Sequence, residues 1–153
     1  MRYTLNPTEQ RIARHLAAGR HAAGQQVRNA RMGPQGDAEI HLEGIGAELA
    51  FCRLFNVYPD FSIGARCGGT DATWVGRTVD VKATRHEGGR LIAVLKKADY
   101  PCDLYALMVG TFPTYRFAGM ASRAQLLAAE AVTDLGYGPT FALAQDQLTR
   151  VEP

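Results

Sequence analysis

Two aspartates and a lysine stand at spacings that can carry hydrolytic chemistry. In the stretch Asp71-Ala-Thr-Trp-Val-Gly-Arg-Thr-Val-Asp80-Val-Lys82-Ala-Thr84, two β-prone runs flank Gly76-Arg77. With Gly76-Arg77 as a two-residue type II′ turn, Thr73 faces Asp80 and Asp71 faces Lys82. Side chains alternate along a strand, so Asp71, Thr73, Asp80, Lys82 and Thr84 share one face. Ala72, Trp74, Val79, Val81 and Ala83 share the other, which is the expected core face. A longer turn would slide this register, but Asp80 and Lys82 would keep a common face. Two neighbouring carboxylates repel, and a divalent cation such as Mg²⁺ or Mn²⁺ relieves the repulsion with hard oxygen ligands. An adjacent amine can orient a metal-bound water or stabilise charge on a phosphoryl oxygen. The competing reading is a surface hairpin with one cross-strand Asp–Lys pair.

Glu48 adds a third acid. It lies three residues after Ile45 and three before Phe51, on or at the edge of a helix's apolar stripe. A glutamate there is costly unless it is paired or bound to metal. The plainer alternative is a rim position with a snorkelling stem.

The elements that must position these groups can be read along the chain. Asn6, Pro7 and Glu9 are a helix start: an Asn cap, a proline in the first turn and an acid at the third position. Ile12 and Leu16 follow at helical spacing, and Gly19 and Gly24 are expected to interrupt the helix. Gln25 to Gly36 reads as an irregular Arg-rich arm or a short second helix. A further helix is expected from Ala38 or Leu42 to Asn56, with Leu42, Ile45, Leu49 and Cys52 as its stripe and Phe51 and Phe55 widening it. Gly44 and Gly46 weaken its first turns or permit close packing there. Tyr58-Pro59-Asp60 ends it. Strands are expected at Asp71–Val75, Thr78–Thr84, Leu91–Leu95, Asp103–Gly110 and Tyr115–Gly119, and a further one between Phe61 and Ala65. Ser122 and Gln125 form a capping box for a last helix with Leu126, Leu127 and Ala131 on its apolar side, stopped by Gly136 to Pro139. Helix, helix, strands, helix describes an α/β or α+β domain with a mixed sheet.

The 153 residues fit one domain, and 46% apolar with 21% charged residues is a globular composition. This excludes a mainly disordered, collagen-like or coiled-coil chain. No apolar run reaches the length of a membrane helix, and the start carries no apolar signal core, so a cytoplasmic address is the default. Cys52, Cys67 and Cys102 are too few and too scattered for a disulfide framework or a four-thiolate zinc site. The net charge of +2 hides a gradient: +5 over residues 1–36, zero over 37–123 and −3 over 124–153. A basic arm on a neutral body is compatible with a nucleic-acid partner, and equally with a solvated helix face.

Gly46-Ala47-Glu48-Leu49-Ala50, Gly69-Thr70-Asp71 and Val79-Asp80-Val81-Lys82 together resemble the PD-(D/E)xK nuclease superfamily, over roughly residues 40–110. The resemblance implies a restriction-endonuclease-like core, a mixed central sheet flanked by helices, with residues 1–36 as a basic, mainly helical arm and 37–153 as one nuclease-like domain. It implies Glu48, Asp71, Asp80 and Lys82 as catalytic residues, with Asp71, Asp80, Glu48 and the Val81 carbonyl as Mg²⁺ or Mn²⁺ ligands. The expected activity is metal-dependent hydrolysis of DNA by an endonuclease, resolvase-like and homodimeric. Arg11, Arg14, Arg28, Arg31, Arg85, Lys96 and Lys97 would contact the DNA backbone, with Thr84 and His86 beside them. The residue before Asp71 is Thr70 rather than the motif's nominal proline. A non-catalytic nucleic-acid-binding or assembly protein on the same fold is the alternative. A catalytic role for Cys67 lacks any tied histidine, Gly88-Gly89 lacks the flanks of a phosphate loop, and Trp74 and Tyr105 read as core.

Overall fold

The structure, a computed structural model, describes residues 1–24, 36–63 and 69–152. The elements run β1 (Arg2–Thr4), α1 (Pro7–Gly24), α2 (Asp37–Leu54), β2 (Ala72–Trp74), β3 (Arg77–Thr84), β4 (Leu91–Val94), β5 (Leu104–Thr111), β6 (Thr114–Ser122), α3 (Arg123–Leu126), β7 (Val132–Asp134) and β8 (Pro139–Leu143). A five-stranded sheet has the order β1-β6-β5-β3-β2, with β3 and β5 parallel and the other neighbours antiparallel. A second, antiparallel sheet has the order β4-β8-β7. This is a mixed α/β fold.

Both faces of the large sheet are covered. Ala13, Leu16 and Ala17 of α1, and Ile45, Leu49, Phe51, Cys52 and Phe55 from α2 and its end, cluster with Val79, Val81, Ala106, Met108 and Phe117 of the sheet. The rings of Phe51 and Phe55 stack at 4.5 Å, and Phe55 meets Phe117 edge-on at 4.9 Å. On the opposite face Tyr105, Leu107, Val109 and Ala121 pack with Leu91, Phe141 and Leu143 of the small sheet. The central strand β5 therefore reads as one continuous apolar run, as a strand buried on both sides must.

Asn6 caps α1 as expected: its Oδ1 accepts from Thr8 N and Glu9 N, and Glu9 returns a bond to Asn6 N. Gly19 does not interrupt α1; the helix passes through it, and the missing side chain leaves room for Ile63. The first 24 residues are built into the body, since β1 joins the sheet and Leu5, Ala13 and Leu16 are buried. Residues 25–35, expected as an arm or short helix, lie outside the described residues. The last helix is only one turn long. Its Ser122–Gln125 capping box is present, but the chain then turns through Ala129–Ala131 into β7, and Gly136 to Gly138 connects β7 to β8. The β-branched pair Val132-Thr133 favours the strand over a longer helix. Phe61 to Ile63 form no strand, and the rest of that expected element is outside the described residues.

The hairpin register differs from the expectation by two residues. The turn residues are Val75 and Gly76, both left-handed (φ 49° and 72°), and Trp74 pairs with Arg77. Positive φ at both positions is the type I′ turn, in which Gly76 takes the second place rather than the first. An even slide leaves each side chain on its expected face. Ala72, Val79 and Val81 are buried under the helices, and Trp74 packs against the same cluster, although Ala83 is exposed near the strand's end.

Gly46 marks a close approach of α2 to the sheet. A Cβ there would lie 2.4 Å from Tyr115 Oη and 2.9 Å from Phe112. Tyr115 is fully buried, and its hydroxyl donates to the Glu43 carbonyl at 3.1 Å, so the ring has little freedom to yield. Gly44, two residues earlier, has nothing within 4 Å of that position. Gly46→Ala is expected to lose about 1–3 kcal/mol in urea unfolding. Gly44→Ala is expected to be neutral or to gain up to ~1 kcal/mol from helix propensity.

Candidate functional site

The site forms where β2 is too short to cover β3. The ladder between them ends at Ala72 and Val79, and β3 continues to Thr84. Just past the ladder, Asp71 N–H donates to Val79 O at 2.9 Å, and Asp71 Oδ2 accepts Val81 N–H at 2.6 Å. A carboxylate thus takes the place of the next strand. The N–H and C=O of one residue in an extended strand point to the same edge, so the Val81 carbonyl also faces this opening. Asp71 stands beside Val79–Val81 rather than opposite Lys82, a consequence of the shifted register.

Asp80 and Lys82 project from the other face of β3, next to Tyr105 and Leu107 of β5 in register. Asp80 is buried, and Lys82 Nζ donates to its Oδ1. The expected polar face is therefore covered, because the second core cluster continues beneath it. Glu48 comes from the buried side of α2, and Arg20 Nη1 pairs with its Oε2 at 2.9 Å. Arg20 also donates from Nη2 to the Asp60 carbonyl at 2.9 Å and from Nε to the Ser62 carbonyl at 3.1 Å. Arg20 is a site residue that the sequence analysis does not single out. The available signal was its spacing: it follows Ala13, Leu16 and Ala17 at the seven, four and three residues of one buried stripe.

The acids act on one another. Asp71 is pushed up to about 8, chiefly by burial, then by the charges of Glu48 and Asp80; the Val81 N–H and Lys82 pull the other way. Burial also raises Glu48, against the pull of Arg20 and Lys82. Glu48, Asp71, Asp80 and Lys82 thus lie within electrostatic reach of each other, but their direct bonds are separate pairs. Among the described residues, no three His, Cys, Asp or Glu side chains are disposed to hold one metal ion. Two carboxylates and a carbonyl are the right chemistry for Mg²⁺, and in this arrangement Glu48, Asp71 and Asp80 each accept a bond from a protein partner through one oxygen.

The expected backbone-contact residues are scattered. Arg11 is exposed and bonds Thr8 Oγ1 at 3.1 Å. Arg14 lies over the Phe112 ring, 4.9 Å from its centroid. Arg85 pairs with Glu39 and lies 3.6 Å from Glu43. Thr84 is half-buried, and its Oγ1 accepts from the N–H of exposed His86 at 3.3 Å. Lys96 is exposed and Lys97 follows it in a 3-10 turn. Arg28, Arg31 and Cys67 lie outside the described residues. Cys52 and Cys102 are buried, and Cys52 is pushed up to about 12 by burial and by Glu48 and Asp71, so it stays a thiol. Tyr105 is wholly buried, as expected of a core ring.

Asp71 fixes a pH dependence of stability. The folded protein holds a proton that the unfolded chain, with a carboxyl near 3.8, has already released as pH rises towards 8. Stability is therefore highest at the acid end of this window and falls as pH increases, by on the order of 1 kcal/mol per pH unit. Asp71→Asn keeps an acceptor for Val81 N–H and is expected to flatten the profile in urea unfolding between about pH 5 and pH 8. A second substitution probes the ion pair. Arg20→Ala strands Glu48 in apolar surroundings and frees the Asp60–Ser62 loop, with an expected loss of about 3 kcal/mol.

No curated protein matches this sequence. The model of one protein family covers residues 2–149, which takes in α1, α2 and α3, both sheets and every described residue of the cluster. The chain belongs to that family, described as a family of unknown function (DUF5843).

Proposed function

We propose that the protein binds nucleic acid without cutting it, and that the Glu48–Asp71–Asp80–Lys82 cluster is a closed charge network at the centre of a nuclease-like fold. The observation that carries this reading is the pairing of every acid in the cluster: Arg20 with Glu48, Lys82 with Asp80, and the Val81 N–H with Asp71. Arg20 also lies 3.8 Å from the Asp60 carboxylate, so the cations of the cluster are shared among protein acids. Residues 1–36 carry +5, and the arginines there other than Arg20, which is committed to Glu48, support a phosphate-bearing partner held through the backbone rather than through base edges. The resemblance to PD-(D/E)xK nucleases is supported by a helical Glu48 beside a strand pair, with Asp80 and Lys82 on β3 and Asp71 immediately before β2.

A second reading is Mg²⁺-dependent hydrolysis at the same cluster, and one observation favours it. Three acids share a poorly solvated region, and Asp71 is pushed up to about 8 chiefly by burial and then by the charges of Glu48 and Asp80. Perturbed groups of this kind concentrate at active sites. A cation near Asp71 and Asp80 would relieve the crowding and supply charge stabilisation for a phosphoryl oxygen. Lys82 would then have to leave Asp80 to face a substrate. A homodimer belongs to this reading.

Labelled linear and branched DNA, incubated with Mg²⁺, Mn²⁺ or EDTA, separates the two. Binding is expected to weaken steeply between about 50 and 200 mM salt, to survive EDTA and to leave the DNA intact. Cleavage that needs the metal and is lost in Lys82→Ala would establish the second reading and overturn the first. Absence of both binding and cleavage would overturn both.

A further inference from the structure

The loop after α2 carries two aromatic side chains that the core does not use. Tyr58 keeps 81% of its surface in solvent and Phe61 40%. Their rings meet edge to face with centroids 5.5 Å apart. They wall an open cleft of about 640 Å³ whose lining also includes Asp60, Thr70, Asp71 and Thr73. The same cleft therefore has aromatic rings on one side and a member of the charge cluster on the other.

The loop is held against the cluster by specific bonds. Asp60 N–H donates to the Asp71 carbonyl at 3.3 Å. Arg20, already paired with Glu48, grips the carbonyls of Asp60 and Ser62. The Asp60 carboxylate accepts from Ser62 N–H at 2.9 Å and from Ser62 Oγ at 2.6 Å, which closes the turn between the two rings. Tyr58 and Phe61 are thus presented from a braced loop, and bracing lowers the ordering cost of binding.

We propose that Tyr58 and Phe61 form a stacking platform for an unpaired nucleobase, which makes single-stranded or unpaired DNA the preferred ligand. This rests on the nucleic-acid reading given above and names its ligand class. An exposed ring beside polar groups suits a flat, partly polar partner better than an aliphatic one, since hydroxyls and carboxylates at the floor would be left dry under an apolar side chain. Every base offers a π-face, so such a platform is tolerant of sequence. A base inside a duplex has its faces already stacked and cannot reach the rings.

Fluorescence anisotropy with three labelled probes tests this: a twelve-residue oligothymidine, an abasic strand of equal length and charge, and a duplex. Oligothymidine is expected to bind the full chain roughly tenfold or more tighter than the abasic strand, the range of one or two stacked bases. The duplex is expected to bind like the abasic strand. The double substitution Tyr58→Ala and Phe61→Ala should abolish the preference and leave abasic affinity unchanged, and Tyr58→Phe should retain it. Equal affinity for oligothymidine and the abasic strand overturns the platform alone. No binding of any probe overturns the nucleic-acid reading with it. Tyr58 and Phe61 are not part of the buried core, so an unchanged thermal transition in the variants excludes unfolding as the cause.

Discussion

A part-buried ion pair between two helices fixes the centre of this molecule. Arg20 of α1 meets Glu48 of α2 where both helices face the sheet, with side chains that are each only 15% exposed. Neither charge could stay there alone, because an unpaired ion in such surroundings loses its hydration without compensation. The pair therefore fixes the rotation of both helices. Its remaining guanidinium donors reach the 60–62 loop, so the geometry of one side chain relates the helix layer, the loop and Asp71.

The two-faced burial of the large sheet sets the electrostatics of everything near β3. A hairpin with one wet face would keep Asp80 and Lys82 in solvent, where a pair of this kind contributes little. Here the small sheet closes the second face. Asp80 becomes a buried group, and the mutual repulsion of the acids reaches Asp71 through a medium that screens poorly.

The helices and the two strands of the hairpin were legible because each carries a local signal. Asn6, Pro7 and Glu9 cap α1 through bonds to their own neighbours, and the alternation from Thr78 to Thr84 survives any even change of register. What was hidden depends on contacts distant in sequence. Strand β1 has three residues and exists because β6 pairs with it, and the small sheet pairs Leu91 with Leu143, far along the chain. The acids Glu48, Asp71 and Asp80 could be singled out by type and spacing. Their partners could not: the Arg20–Glu48 bond spans 28 positions, and the Asp71–Val81 bond needs the ladder to stop at Val79. The faces of β3 were assigned correctly, but the covering of the polar face was invisible without β4 and β8.

The large sheet ends in two strands of three residues each, β1 and β2. Exposed sheet margins invite a foreign strand to add itself, and brevity is a defence against that. Past Trp74–Ala72 the margin of β3 would lie open, yet the first amide there is already engaged by the Asp71 side chain. An incoming strand would have to displace that bond before it could extend the sheet, so the edge is a poorer template than its length alone would make it.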